Sequence, residues 1–272
     1  MAYNNDQHFE RVKESFSRLG LLNSMIPTTH YHYTSAESAL LILQGAKLRF
    51  SNPSSFNDPF DMDTSIINFD CDREAFINFL LRSRPHLDKV ELESMYNRRV
   101  AINPKHFQDI ASRTLIKYRE NFGVACFSQD YKNYLLWSHY AKNHTGVCIG
   151  FRYNTFSGYL PMPVRYTKKK IFVNHFDRNV EPLIYLAYLK SSVWKYEKEI
   201  RAIYFNMREY PDNLIPFEKS CLLTLHFGIR VSEEDKDKII SALHINQYSN
   251  VKVFNMVANR SDYGFLKPNA LF

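Results

Sequence analysis

The segment Trp194-Lys195-Tyr196-Glu197-Lys198-Glu199-Ile200-Arg201-Ala202-Ile203-Tyr204-Phe205 constrains the fold more than any other stretch. Five charges fall in the seven residues 195–201, and an apolar run follows at once. Read as a strand from Glu197, the two-residue period places Glu197, Glu199, Arg201 and Ile203 on one face. Lys198, Ile200, Ala202 and Tyr204 take the other. A carboxylate entering a half-buried strand beside an arginine needs a partner or a task. It is either an ion pair at a strand edge or a catalytic or ligand-binding glutamate.

Further strands and helices alternate around this segment without a regular βαβ rhythm. Strands are expected at 28–34, 47–51, 122–128, 146–151, 164–166, 200–205, 222–227 and 251–254. Helices are expected at 9–19, after the N-cap Ser35 as far as Gly45, at 134–141, at 181–192, and from the cap Ser232 to about 243. Residues 72–120 read as helical, punctuated by Pro85 and Pro104. The fold class is therefore α+β: a mixed, mainly antiparallel sheet core with helices, in a single domain of residues 1–272 that carries 72–120 as a helical insertion.

Composition excludes several classes. With 45% hydrophobic residues the chain can fill a core. Glycine is scarce, and neither GxGxxG nor GxxxxGK[ST] occurs. The four cysteines, Cys71, Cys126, Cys148 and Cys221, show no zinc or redox spacing. Cys126 and Cys148 lie in apolar runs, as small hydrophobes do. No apolar stretch has the length of a membrane span, and the N-terminus lacks a signal-peptide pattern, so a cytoplasmic protein without membrane contact is expected. The formal charge of +7 suits an anionic partner such as a nucleotide or nucleic acid. Its one compact basic run, Lys168-Lys169-Lys170, reads as a solvated loop.

Three constellations can carry chemistry. In Thr29-His30-Tyr31-His32-Tyr33-Thr34, the residues His30, His32 and Thr34 share one strand face, which reads as a solvent-facing side, a metal site or a ribose contact. The loop that follows Arg49 and Ser51, Asn52-Pro53-Ser54-Ser55-Phe56-Asn57-Asp58-Pro59, is dense in turn residues and either rigidifies itself or grips a ligand. Arg49 and Ser51 leave their strand on one side and could meet a phosphate. The third is Cys126-Phe127-Ser128 with Trp137-Ser138-His139-Tyr140-Ala141. A cysteine nucleophile is disfavoured here because no electropositive neighbour accompanies Cys126.

These blocks in this order resemble a bacterial family catalogued as a domain of unknown function. The blocks are His32-Tyr33-Thr34 before a helix, Phe56-Asn57-Asp58-Pro59-Phe60-Asp61, Cys126-Phe127-Ser128, Trp137 to Ala141, His144 to Phe151, and Tyr196-Glu197-Lys198-Glu199-Ile200-Arg201. More distantly, the order of His32 with Thr34, then Ser51, then Glu199 is similar to the ADP-ribosyltransferase fold. That resemblance implies an NAD-utilising enzyme in which NAD is the substrate. His32 and Glu199 would be catalytic, with Thr34, Tyr33, Arg49, Ser51, Asn57 and Arg201 as binding residues and no metal. The acceptor would be nucleic acid or protein, in a bacterial defence or toxin setting. The alternatives are a non-catalytic ligand-binding sensor and a metal-dependent hydrolase or nuclease built on His30, His32 and nearby aspartates.

Overall fold

A computed structural model describes residues 5–21, 28–152, 161–177, 181–205 and 207–271. The chain clusters into two compact units. The first comprises residues 1–24, 53–121 and 165–192. The second comprises 25–52, 122–164 and 193–272. The expected insertion, 72–120, falls within the first.

The first unit is mainly helical. Helices Arg73–Ser83, Lys89–Tyr96 and Pro104–Arg119 start at Asp72, Asp88 and Asn103, whose side chains accept the exposed N–H groups of the first turn. Asp88 and Glu91 form a full capping box. Pro104 opens its helix at a position where no N–H is needed. Phe76, Phe79, Phe107 and Phe176 pack ring against ring. Residues 181–192, expected to be one helix, form the helix Pro182–Tyr188 and then the strand Leu189–Ser191. That strand pairs in parallel with Arg165–Thr167. Lys190 on it and Asp61 form a buried ion pair at 3.5 Å.

The second unit is built on an eight-stranded, mainly antiparallel sheet. Its central strands, in spatial order, are Leu222–Phe227, Val147–Arg152, Thr29–Thr34, Gly123–Ser128 and Glu199–Tyr204. Antiparallel pairing puts directly opposed residues on the same face, so the register identifies each side. Phe127, Ile149, Phe151, Ile200, Ala202, Leu225 and Phe227 form the core face with helices Ala36–Gly45 and Glu233–Ile245. The other face carries Tyr33 and Cys148, covered by helix Tyr134–Tyr140 through Leu136 and Trp137. Two glycines permit this closeness. A Cβ on Gly146 would strike the carbonyl oxygen of Thr34, and one on Gly150 would strike the Thr224 hydroxyl.

Candidate functional site

The segment read as a strand from Glu197, with a strand expected at 200–205, forms the strand Glu199–Tyr204. Glu197 closes a short 3₁₀ turn, Ser192–Glu197, and Lys198 adopts a left-handed backbone, φ 47°. That residue breaks the two-residue period, so Glu197 is not placed by the alternation that places Glu199, Arg201 and Ile203. The kink is held on both sides. The Lys198 carbonyl accepts from Gln129 N at 3.0 Å, and the Ser128 hydroxyl donates to the Glu197 carbonyl at 2.6 Å. Asn133 caps helix Tyr134–Tyr140 with its oxygen and donates its amide to the Tyr196 carbonyl at 2.6 Å. One asparagine thus ties the helix start to the glutamate segment.

The two carboxylates have different surroundings. Glu199 and Arg201, 4% and 0% exposed, form a two-pronged pair on one strand face. Arg201 Nε donates to Oε1 at 2.7 Å and Nη2 donates to Oε2 at 3.2 Å. Glu197, also 4% exposed, accepts at Oε1 from the Tyr140 hydroxyl at 2.7 Å. Tyr140 is itself 38% exposed, so its ring joins a buried carboxylate to the surface. Two acids two residues apart thus have different hydrogen-bond partners, a guanidinium for Glu199 and a phenol for Glu197.

His32 sits elsewhere. His32 is opposite Ile149, on the core face, and its ring meets Phe127 edge-on at 5.8 Å. Ser128, opposite both Tyr31 and Glu199, marks the other face. His32 and Glu199 therefore project from opposite sides of the sheet, and the single cleft expected to hold both is not formed by these faces. The face with His30, His32 and Thr34 is also not solvent-exposed. His30 and Thr34 are buried and His32 is half-buried, because this face belongs to the larger core.

His32 has a structural task that its sequence pattern does not reveal. Strands Thr29–Thr34 and Gly123–Ser128 pair only at Tyr31 and Ser128. Further along, Val124 pairs with Ser51 instead. Between these points the Cys126 carbonyl accepts from His32 Nδ1 at 3.0 Å. A carbonyl only accepts, so Nδ1 carries the proton of the neutral ring. The sheet thus forks at His32, and an imidazole stands in for a missing ladder bond. Burial lowers the His32 pKa, with the Cys126 carbonyl partly opposing it.

The other expected binding residues are dispersed. Tyr33 is buried against Trp137, ring centroids 5.3 Å apart, and donates to the Asp130 carbonyl at 2.6 Å. Desolvation raises its pKa far above that of a free phenol. Arg49 is exposed on the edge strand Lys47–Arg49, and Ser51 is half-buried. Asn57 is exposed in the other unit, beside Asp58, whose carboxylate accepts from Phe60 N as a turn residue does. Among the described residues, no three or more His, Cys, Asp or Glu side chains are grouped to hold a metal ion.

A residue absent from the expected set is His226. It is buried and stacked between Tyr131 at 4.6 Å and Phe254 at 4.9 Å. Its Nε2 meets the Thr224 hydroxyl at 3.2 Å, whereas Nδ1 is buried without a partner. Desolvation lowers its pKa to about 4. The alternating pattern of Leu222–Phe227 marks His226 as facing away from Leu225 and Phe227. The three-ring stack, assembled from distant segments, leaves no local signal.

Among the described residues, no helix is long and apolar enough to cross a membrane. Neither the curated proteins nor the solved structures contain a match to this chain. Residues 136–202 match a family model described as a protein of unknown function, DUF2971, and that span runs from the Tyr140 helix through Glu197, Glu199 and Arg201.

Proposed function

We propose that the chain is a nucleotide-binding, NAD-utilising enzyme of the ADP-ribosyltransferase kind, centred on Glu197 and Glu199. The carrying observation is the pair of buried carboxylates in unlike environments, one of them reached from the surface through Tyr140. Cleavage of an N-glycosidic bond builds positive charge on the ribose, and a carboxylate held close to it stabilises that charge. In this reading Glu197 faces the ribose and Tyr140 orients it. Glu199 and Arg201 form the rigid support behind them. Nicotinamide departs as the neutral base, and the acceptor, nucleic acid or protein, loses a proton as it takes the ADP-ribosyl group. His32, Tyr33 and Thr34 shape the sheet rather than the reaction.

Nicotinamide release from NAD, followed with nucleic acid and protein acceptors, tests this. Glu197→Gln is expected to cut the rate by about a hundredfold or more, the scale of losing one electrostatic stabiliser, with the fold intact. An unchanged NAD pool together with no thermal shift on adding NAD refutes the reading. The bidentate hold of Arg201 on Glu199 favours a second reading, a non-catalytic sensor, which would show stabilisation by NAD without turnover.

A further inference from the structure

A row of aromatic rings lies along the surface beside Glu197. Trp194 and Tyr196 have ring centroids 6.1 Å apart, Tyr196 and His139 6.4 Å, and His139 and Tyr140 6.1 Å. Trp194 and Tyr196 are half-buried, and His139 and Tyr140 are exposed. The rings are not loosely hung. Asn133 fixes the Tyr196 backbone, and Glu197 fixes the Tyr140 hydroxyl. Lysines alternate with the rings in sequence: Lys195 and Lys198 are both exposed. The acidic members of the neighbourhood are already engaged, Asp130 by Lys198 at 3.1 Å and Glu197 by Tyr140.

The geometry points to a binding surface for single-stranded nucleic acid. Unpaired bases would stack on Trp194, Tyr196 and His139, and the phosphates would follow Lys195, with Lys198 joining them on exchanging Asp130 for a phosphate. Stacking platforms interleaved with cations suit single strands, since every base has a π-face and each phosphate a charge. A duplex hides its base faces, and a folded protein partner supplies no run of planar rings at this spacing. The overall charge of +7 favours the same polyanion. This deepens the reading above by naming its acceptor class. It rests on that reading for chemistry, while binding itself stands alone.

The test uses the full chain without NAD and a fluorescein-labelled twelve-nucleotide oligothymidylate, read by anisotropy. Binding is expected to be tighter than to the matching duplex and to weaken with salt. Trp194→Ala and Tyr196→Ala should each weaken it about tenfold, within the range for one lost stacking contact, and Trp194→Phe should retain most of it. Lys195→Ala should weaken binding at every sequence and lower the salt slope by about 0.7. Circular dichroism confirms that each variant is folded. Absence of binding at low salt, equal affinity for duplex, or alanine variants that bind as the parent does would overturn the proposal. Capture of a polyanion such as heparin with no dependence on Trp194 or Tyr196 would overturn it too, by showing charge alone. Any of these results leaves NAD consumption to be judged by its own assay.

Discussion

Replacing Arg201 by methionine measures what the Glu199–Arg201 pair contributes. Both side chains lie in the sheet, 4% and 0% exposed, and Arg201 gives Glu199 two hydrogen bonds at 2.7 and 3.2 Å. Arg201→Met leaves a buried carboxylate without its guanidinium, at a cost of about 3–5 kcal/mol. Both tryptophans, Trp137 and Trp194, belong to the sheet unit, so their fluorescence during urea unfolding reports on that unit. With a slope of about 2 kcal/mol/M, the midpoint should fall by about 1.5–2.5 M. The double variant Glu199→Gln, Arg201→Met also removes the buried negative charge and should recover most of the loss, because a buried pair often contributes little over neutral replacements. A midpoint within about 0.5 M of the parent for Arg201→Met refutes the reasoning, as does a double variant no better than the single one.

Two further outcomes follow from buried groups. The His226 pKa is lowered to about 4 from 6.5, so the unfolded chain binds the proton first as pH falls. Its stabilisation is complete above pH 6.5 and is lost progressively towards pH 4, about 3 kcal/mol in all, and His32 acts in the same direction. Unfolding midpoints at pH 7.5 and 5 should differ accordingly, and His226→Phe should flatten that difference. Gly146→Ala should cost about 1–3 kcal/mol by denaturant titration. Its new methyl meets the Thr34 carbonyl, which is backbone and cannot swing aside; a neutral result would mean the two strands are not so closely joined.

The elements were legible where the local chemistry is self-contained. The Ser35 side chain accepts from Ser38 N and starts its helix, Ser232 does the same for Glu233–Ile245, and the strands 222–227 and 123–128 sit within a residue of where their apolar runs place them. What the chain does not announce is which face a strand turns inward. His-x-His with Thr looks polar, yet His30 and Thr34 are buried because neighbouring strands bring Phe127, Ile149 and Phe151 to that side. The helix expected over 181–192 ends at Tyr188 because Leu189–Ser191 finds a strand partner in Arg165–Thr167, a pairing across more than twenty residues that periodicity cannot see.

The glutamate segment shows how one backbone choice divides the work of two like residues. Had residues 197–203 been a continuous strand, Glu197 and Glu199 would sit on one face with Arg201, competing for a single guanidinium. The left-handed Lys198 takes Glu197 out of the two-residue alternation that places Glu199 and Arg201. It aims the carboxylate at a phenol on helix Tyr134–Tyr140, and Glu199 keeps both of its oxygens on Arg201. A non-glycine residue at positive φ carries strain, and strain persists only where surrounding bonds hold it. Here Ser128, Gln129 and Asn133 supply those bonds. The sequence Glu-Lys-Glu-Ile-Arg therefore gives its two acids different partners: Glu199 is held in the sheet by Arg201, and Glu197 is bound by a tyrosine that reaches the surface.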